Sequence, residues 1–170
     1  MTKRRARLPC LVLAIVVSGC GGYTPAVGEG AARRTDAWPG KYAFNVTVSL
    51  SGPAERKLRA DGESVVVSVS YYSGAAKGAG PHDVNDVGLV DLGRAEVTLD
   101  GAGTVAFDGR AVQQDRLRLT KGEPEALISV FSGRRSSPDN LLSCDTYQEE
   151  VRRASGKTLR LSCGLLSERE

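Results

Sequence analysis

Two stretches of this chain alternate apolar and polar residues with a period of two. Tyr42, Phe44, Val46, Val48 and Leu50 are separated by Ala43, Asn45, Thr47 and Ser49. Val65, Val67, Val69 and Tyr71 repeat the pattern, with Ser68 and Ser70 on the other side. Successive side chains of a strand point to opposite faces, so each stretch reads as a strand with one face in a core. Shorter runs follow at 87–92, 95–99, 104–108, 116–120, 126–131 and 158–165. Asp61-Gly62, Asp100-Gly101 and Asp108-Gly109 punctuate them, and Asp-Gly favours the positive-φ turns that join antiparallel strands. The pattern predicts an all-β fold, an antiparallel β-sandwich of immunoglobulin or transthyretin type with about 7–8 strands. One short helix is expected near 146–154. Asp145 and Gln148 have the spacing of a capping box, and Tyr147, Val151 and Ala154 fall on one stripe. A hairpin turning at Ser155-Gly156 is the competing reading.

At 170 residues the chain has room for one ordinary domain, expected over 38–166, with a polar tail at 167–170. The formal charge of +3 is local to one end: Lys3, Arg4, Arg5 and Arg7 stand in a stretch without acids, and the rest holds 19 basic against 20 acidic residues. Such a balance gives no electrostatic footing for nucleic acid. One His and an aromatic content of 5% also leave little material for histidine catalysis or base stacking.

Those four cations precede an apolar run from Leu8 to Val17, followed by the small residues Ser18 and Gly19. This is the three-part plan of an export signal, expected over 1–19. As a helix the run would reach only about 15 Å, half the hydrocarbon thickness of a bilayer. The sequence Val17-Ser18-Gly19-Cys20 resembles the lipobox of bacterial lipoproteins. The resemblance implies that the signal is cut before Cys20 and that Cys20 carries the lipid. It also implies a lipid-anchored place in the bacterial cell envelope. In a Gram-negative cell, Gly21 in place of an acidic residue favours the outer membrane, facing the periplasm. In a Gram-positive cell the site is the outer face of the plasma membrane. Residues 20–37 are rich in Gly and show no hydrophobic period, so they read as a flexible tether.

Of the four cysteines, Cys10 leaves with the signal and Cys20 takes the lipid. Cys144 and Cys163 remain in an oxidising compartment and are expected to form a disulfide. Two thiols nineteen residues apart with no nearby His make a poor metal set.

Residues that carry chemistry are sparse. His82 lies in a Gly- and Ala-rich segment, Ser73–Asp86, beside Asp83 and Asp86. A His–Asp pair could serve as a general base, but no G-x-S-x-G elbow presents a nucleophile. Asp83, Asn85 and Gly88 match part of a calcium loop, which then fails at Val87 and Arg94. No catalytic residue, metal site or cofactor is therefore expected. The most unusual stretch is Ser132–Asn140, where Arg134 and Arg135 stand among Ser and Asn. Such a loop can grip a carboxylate, a phosphate or an acidic partner through charge-assisted hydrogen bonds. The plainer alternative pairs the arginines with Asp139 or Asp145.

The expected function is a membrane-anchored, non-enzymatic interaction or assembly module with an envelope protein as partner. Arg134, Arg135, His82 and Asp83 are its candidate contacts. The alternative is a small-ligand or glycan-binding lipoprotein, against which the few aromatics weigh. A hydrolase using His82 stands last.

Overall fold

The computed structural model describes residues 40–168. The described chain is an all-β sandwich of two four-stranded sheets. Strand β1 (Phe44–Leu50) leads into helix α1 (Gly52–Asp61), followed by β2 (Val65–Ala75), β3 (Leu89–Leu99) and β4 (Gly103–Phe107). A 3-10 turn at Gln114–Leu119 precedes β5 (Thr120–Ser132). Then come β6 (Leu142–Cys144), β7 (Tyr147–Glu150), helix α2 (Val151–Ala154), β8 (Thr158–Leu165) and a closing 3-10 turn at Leu166–Glu168. The first sheet has the order β4-β1-β8-β6 and the second β3-β2-β5-β7. Every pairing is antiparallel except β1 with β8, which run side by side in the same direction.

The core lies between the sheets and is made by the alternation itself. Phe44, Val46 and Val48 face inward from β1, and Val65, Val67, Val69 and Tyr71 from β2. Ala126, Ile128 and Val130 of β5 extend the wall that β2 makes, and Leu161 and Cys163 of β8 the wall that β1 makes. Phe44 and Phe107 are cross-strand partners whose rings sit 5.6 Å apart at a tilted 40°. Tilted aromatic pairs of this kind contribute about 1 kcal/mol beyond the area they bury.

Helix α1, which the strand pattern does not foresee, has clear local causes. Ser51 caps it by accepting from the Ala54 amide, Pro53 stands in its first turn, and Ala54 and Leu58 form its buried stripe. Gly62, at φ 63°, ends it in the left-handed conformation. Asp61-Gly62 is thus a helix terminus and not a hairpin turn.

Three other expectations are corrected. The runs at 87–92 and 95–99 are one continuous strand, β3, in which Gly93 takes φ 120°. The run at 116–120 is mostly the 3-10 turn, held because Arg116 donates to the carbonyls of Asp91 and Asp83. The helix expected at 146–154 is confined to Val151–Ala154, preceded by strand β7. Pairing of Tyr147–Glu150 with Glu125–Ile128 satisfies that backbone in the sheet, so the capping box of Asp145 and Gln148 does not form. Asp145 instead accepts from the Ser162 amide at 3.0 Å.

The disulfide joins Cys144 and Cys163 at directly paired positions of β6 and β8, with Cα atoms 4.0 Å apart. Immediately after it the chain changes sheets: β6 belongs to the first and β7 to the second.

Candidate functional site

The segment between β5 and β6 is held at both its neck and its tip. At the neck, the Asn140 carboxamide oxygen accepts from the amides of Ser132 at 2.9 Å and Leu142 at 3.1 Å. The Ser132 hydroxyl accepts in turn from the Leu141 amide at 2.9 Å. At the tip the anchor is Glu63, which follows the Gly62 cap and has its own amide tied to the Leu58 carbonyl. The Glu63 carboxylate accepts from the amides of Ser64 (2.8 Å), Arg135 (3.1 Å) and Ser136 (2.9 Å) and from the Ser136 hydroxyl (3.0 Å).

Glu63 is 3% exposed. Burial alone would favour its neutral form, but the amides of Ser136, Ser64 and Arg135 and the Ser136 hydroxyl together outweigh it. They lower the carboxyl from the ordinary 4.5 to about 2. The loop does grip a carboxylate, then, but one from its own chain and through main-chain N–H groups. The guanidinium groups stay outside. Arg134 is exposed at φ 58°, a conformation uncommon for a residue with a Cβ. Arg135 lies 3.6 Å from Asp100, with both side chains more than half exposed. Neither Asp139 nor Asp145 is its partner.

The segment holding His82 is organised differently. The Asp83 carboxylate accepts from the Gly80 amide at 2.9 Å, and the Asn85 side chain accepts from the amides of Val87 and Leu89. These polar groups close turns of the loop itself. His82 is exposed and makes no hydrogen bond or ion pair among the described residues. Among those residues no three His, Cys, Asp or Glu side chains gather in a group that could hold a metal ion.

The two candidate loops do not come together. Val65 at one end of β2 pairs with Ser132, where the Arg134–Arg135 loop begins. Ala75, at the other end, opens the segment that holds His82 and Asp83. Ten residue steps along a strand separate the two by about 33 Å. Cys20, with its proposed lipid, lies outside the described residues, as do the expected signal and tether.

A groove that sequence patterns did not single out crosses the outer face of the second sheet. It encloses about 440 Å³ around Tyr72. Leu89 and Leu127 supply apolar surface, and Asp91, Arg94 and Gln148 stand among its polar lining. Its origin is a pair of irregularities in β2. The register with β3 shifts between Tyr71 and Tyr72, and that with β5 shifts between Tyr72 and Gly74. Bulges of this kind bend a strand and re-aim its side chains. Gln148 of β7 donates to the Tyr72 hydroxyl at 2.9 Å, fixing the ring from the neighbouring edge. The one sequence signal was the continuation of the polar face Ser68, Ser70, Tyr72 past the end of the apolar alternation.

Comparison of this chain with protein-family models, with curated proteins and with solved structures finds no match.

Proposed function

We propose that this protein is a lipid-anchored, non-enzymatic interaction module of the bacterial cell envelope, with its lipid on Cys20 and its partner contact at the Arg134–Arg135 loop. The observation that supports it is the way the loop is built. Its anchoring groups, the Glu63 carboxylate, Ser132 and Asn140, are engaged in holding its shape, while Arg134 projects to solvent. A loop already fixed in one conformation loses little entropy on binding, so its contacts convert more fully into affinity. Arginine suits an acidic partner because its planar fork can meet a carboxylate with two parallel hydrogen bonds.

Placement supports the same reading. The described chain enters through β1, whose Phe44 pairs with Phe107. The loop returns to the first sheet at Leu142, which pairs with Leu165 beyond the opposite end of β1. The described chain therefore begins at the pole away from Arg134. Anchoring raises the effective concentration of the loop near a membrane partner without adding a contact.

The test is crosslinking capture of the full-length protein from its own membranes, beside Cys20→Ser and the double variant Arg134→Glu, Arg135→Glu. Labelled fatty acid should enter the parent chain and not Cys20→Ser. A defined envelope protein should be captured by the parent and lost with the charge reversals. Equal capture by the charge-reversed chain would remove the loop from its role, and labelling of Cys20→Ser would remove the lipid assignment.

A further inference from the structure

The groove around Tyr72 has a different chemistry from the arginine loop and lies toward the other end of the second sheet. Its polar groups are only partly used by the protein. Asp91 commits one carboxylate oxygen to the Gly93 amide at 2.8 Å. Gln148 commits its amide nitrogen to Tyr72, and Asn85 commits its carbonyl oxygen to the turn that follows it. The second Asp91 oxygen, the Gln148 carbonyl and the Asn85 amide nitrogen make no hydrogen bond among the described residues. Acceptors and a donor thus border one concavity, beside Ser70 and the apolar surfaces of Leu89 and Leu127. Arg94 turns its Nε to Glu96 at 3.2 Å and to the Ser68 hydroxyl at 3.0 Å, and the rest of its guanidinium makes no hydrogen bond among the described residues. One carboxylate, Asp91, and one guanidinium, Arg94, thus border the groove, so its lining carries no net charge and favours neither an anion nor a cation.

We propose that this groove is a binding site for a neutral saccharide, with one sugar ring lying against Tyr72 and its hydroxyls held by Asp91, Asn85 and Gln148. A pyranose ring combines the properties the groove asks for. Its hydroxyls both donate and accept, which matches carboxylate and carboxamide groups standing side by side. Its C–H face is apolar, which matches an aromatic ring flanked by leucines. About 440 Å³ falls in the size range of small-ligand sites, which combine apolar lining with a few placed polar groups. The scarcity of aromatics in the sequence counted against sugar binding, but one tyrosine held in place by its hydroxyl suffices for one ring.

The experiment is saturation-transfer NMR on the full chain, with maltose, cellobiose and di-N-acetylchitobiose as probes. At least one should receive saturation at its ring protons and bind in the millimolar range. Tyr72→Ala should weaken that probe by about tenfold or more, whereas Tyr72→Phe, which keeps the ring, should stay within about threefold of the parent. Asp91→Asn, at an exposed position, preserves the acceptor for Gly93 and gives a second reading independent of the core. It should also weaken binding by about tenfold, since hydrogen bonds to a charged acceptor are the stronger ones. No transfer to any probe would overturn the proposal, as would affinity unchanged in both Tyr72→Ala and Asp91→Asn. A loss of partner capture in the charge-reversed loop variants bears on the other surface alone.

Discussion

One oxygen of Glu63 accepts both the amide and the hydroxyl of Ser136, residues 73 positions apart in the chain, at 2.9 and 3.0 Å. This contact closes the tip of the arginine loop onto the end of α1 through a single carboxylate. With a carboxyl pKa of about 2 in the folded chain against 4.5 ordinarily, Glu63 stabilises the fold while ionised. The contribution is about 3 kcal/mol; it is complete above the unfolded value and disappears as pH falls from about 5 toward 2. Glu63→Gln should remove most of it and flatten that part of the pH profile. Urea denaturation of parent and variant between these pH values measures both effects.

The Cys144–Cys163 bridge spans directly paired strands, so the folded sheet needs no rearrangement to form it. Its main effect is then on the unfolded chain, where it closes a loop of about twenty residues and contributes roughly 3 kcal/mol in the chain-entropy treatment. Replacing both cysteines by serine should lower stability by that order. Thiol titration of the oxidised protein should find neither residue reactive.

At Gly93 the backbone itself forbids a side chain. Its φ is 120°, and a Cβ there would overlap the Ala111 carbonyl oxygen, far inside van der Waals contact. Gly93→Ala should therefore cost about 2–4 kcal/mol, far above a surface substitution, by forcing the 108–113 segment away from β3. Thermal unfolding of the variant is the check.

Tyr71 presents the opposite case. It is wholly buried and its hydroxyl has no hydrogen-bond partner among the described residues. Burial, assisted by the negative charge of Asp108, pushes its phenol well above the ordinary tyrosine range. Tyr71→Phe removes an unsatisfied polar atom and keeps the ring, so it should leave stability unchanged or raise it by about 1 kcal/mol. A loss of more than that in denaturant unfolding would contradict this account.

His82 makes no hydrogen bond or ion pair among the described residues and stands exposed in its loop. His82→Ala should shift stability by less than about 0.5 kcal/mol. If an activity is found in the full-length protein and disappears with this variant, the non-enzymatic reading fails.

How much of this was legible depended on whether the physics was local. Strands β1, β2 and β8 showed in the alternation because one face of each is buried, and the disulfide joins the two cysteines that the expected signal and lipid site leave over. Helix α1 was harder, since only Ala54 and Leu58 are buried and two positions cannot display a period. Its capping Ser51 and first-turn Pro53 were the readable signs. Strand β7 has no alternation to read because Gln148, Glu149 and Glu150 sit at a sheet edge, held in register by β5. The Glu63 clamp and the Tyr72 groove join residues more than seventy positions apart, which no local pattern encodes. The arginine loop could be singled out by composition, while its true carboxylate partner required the fold.

The pairing of β1 lengthwise between β4 and β8 has a mechanical consequence. A pull applied where the described chain begins and resisted at the arginine loop would run along β1. The hydrogen bonds of both its ladders would then share the force in shear, instead of opening one after another as they do when an edge strand is peeled. In the proposed arrangement, between a bilayer and a partner, this strand would carry the load lengthwise, with the Cys144–Cys163 crosslink locking the next strand pair beside it.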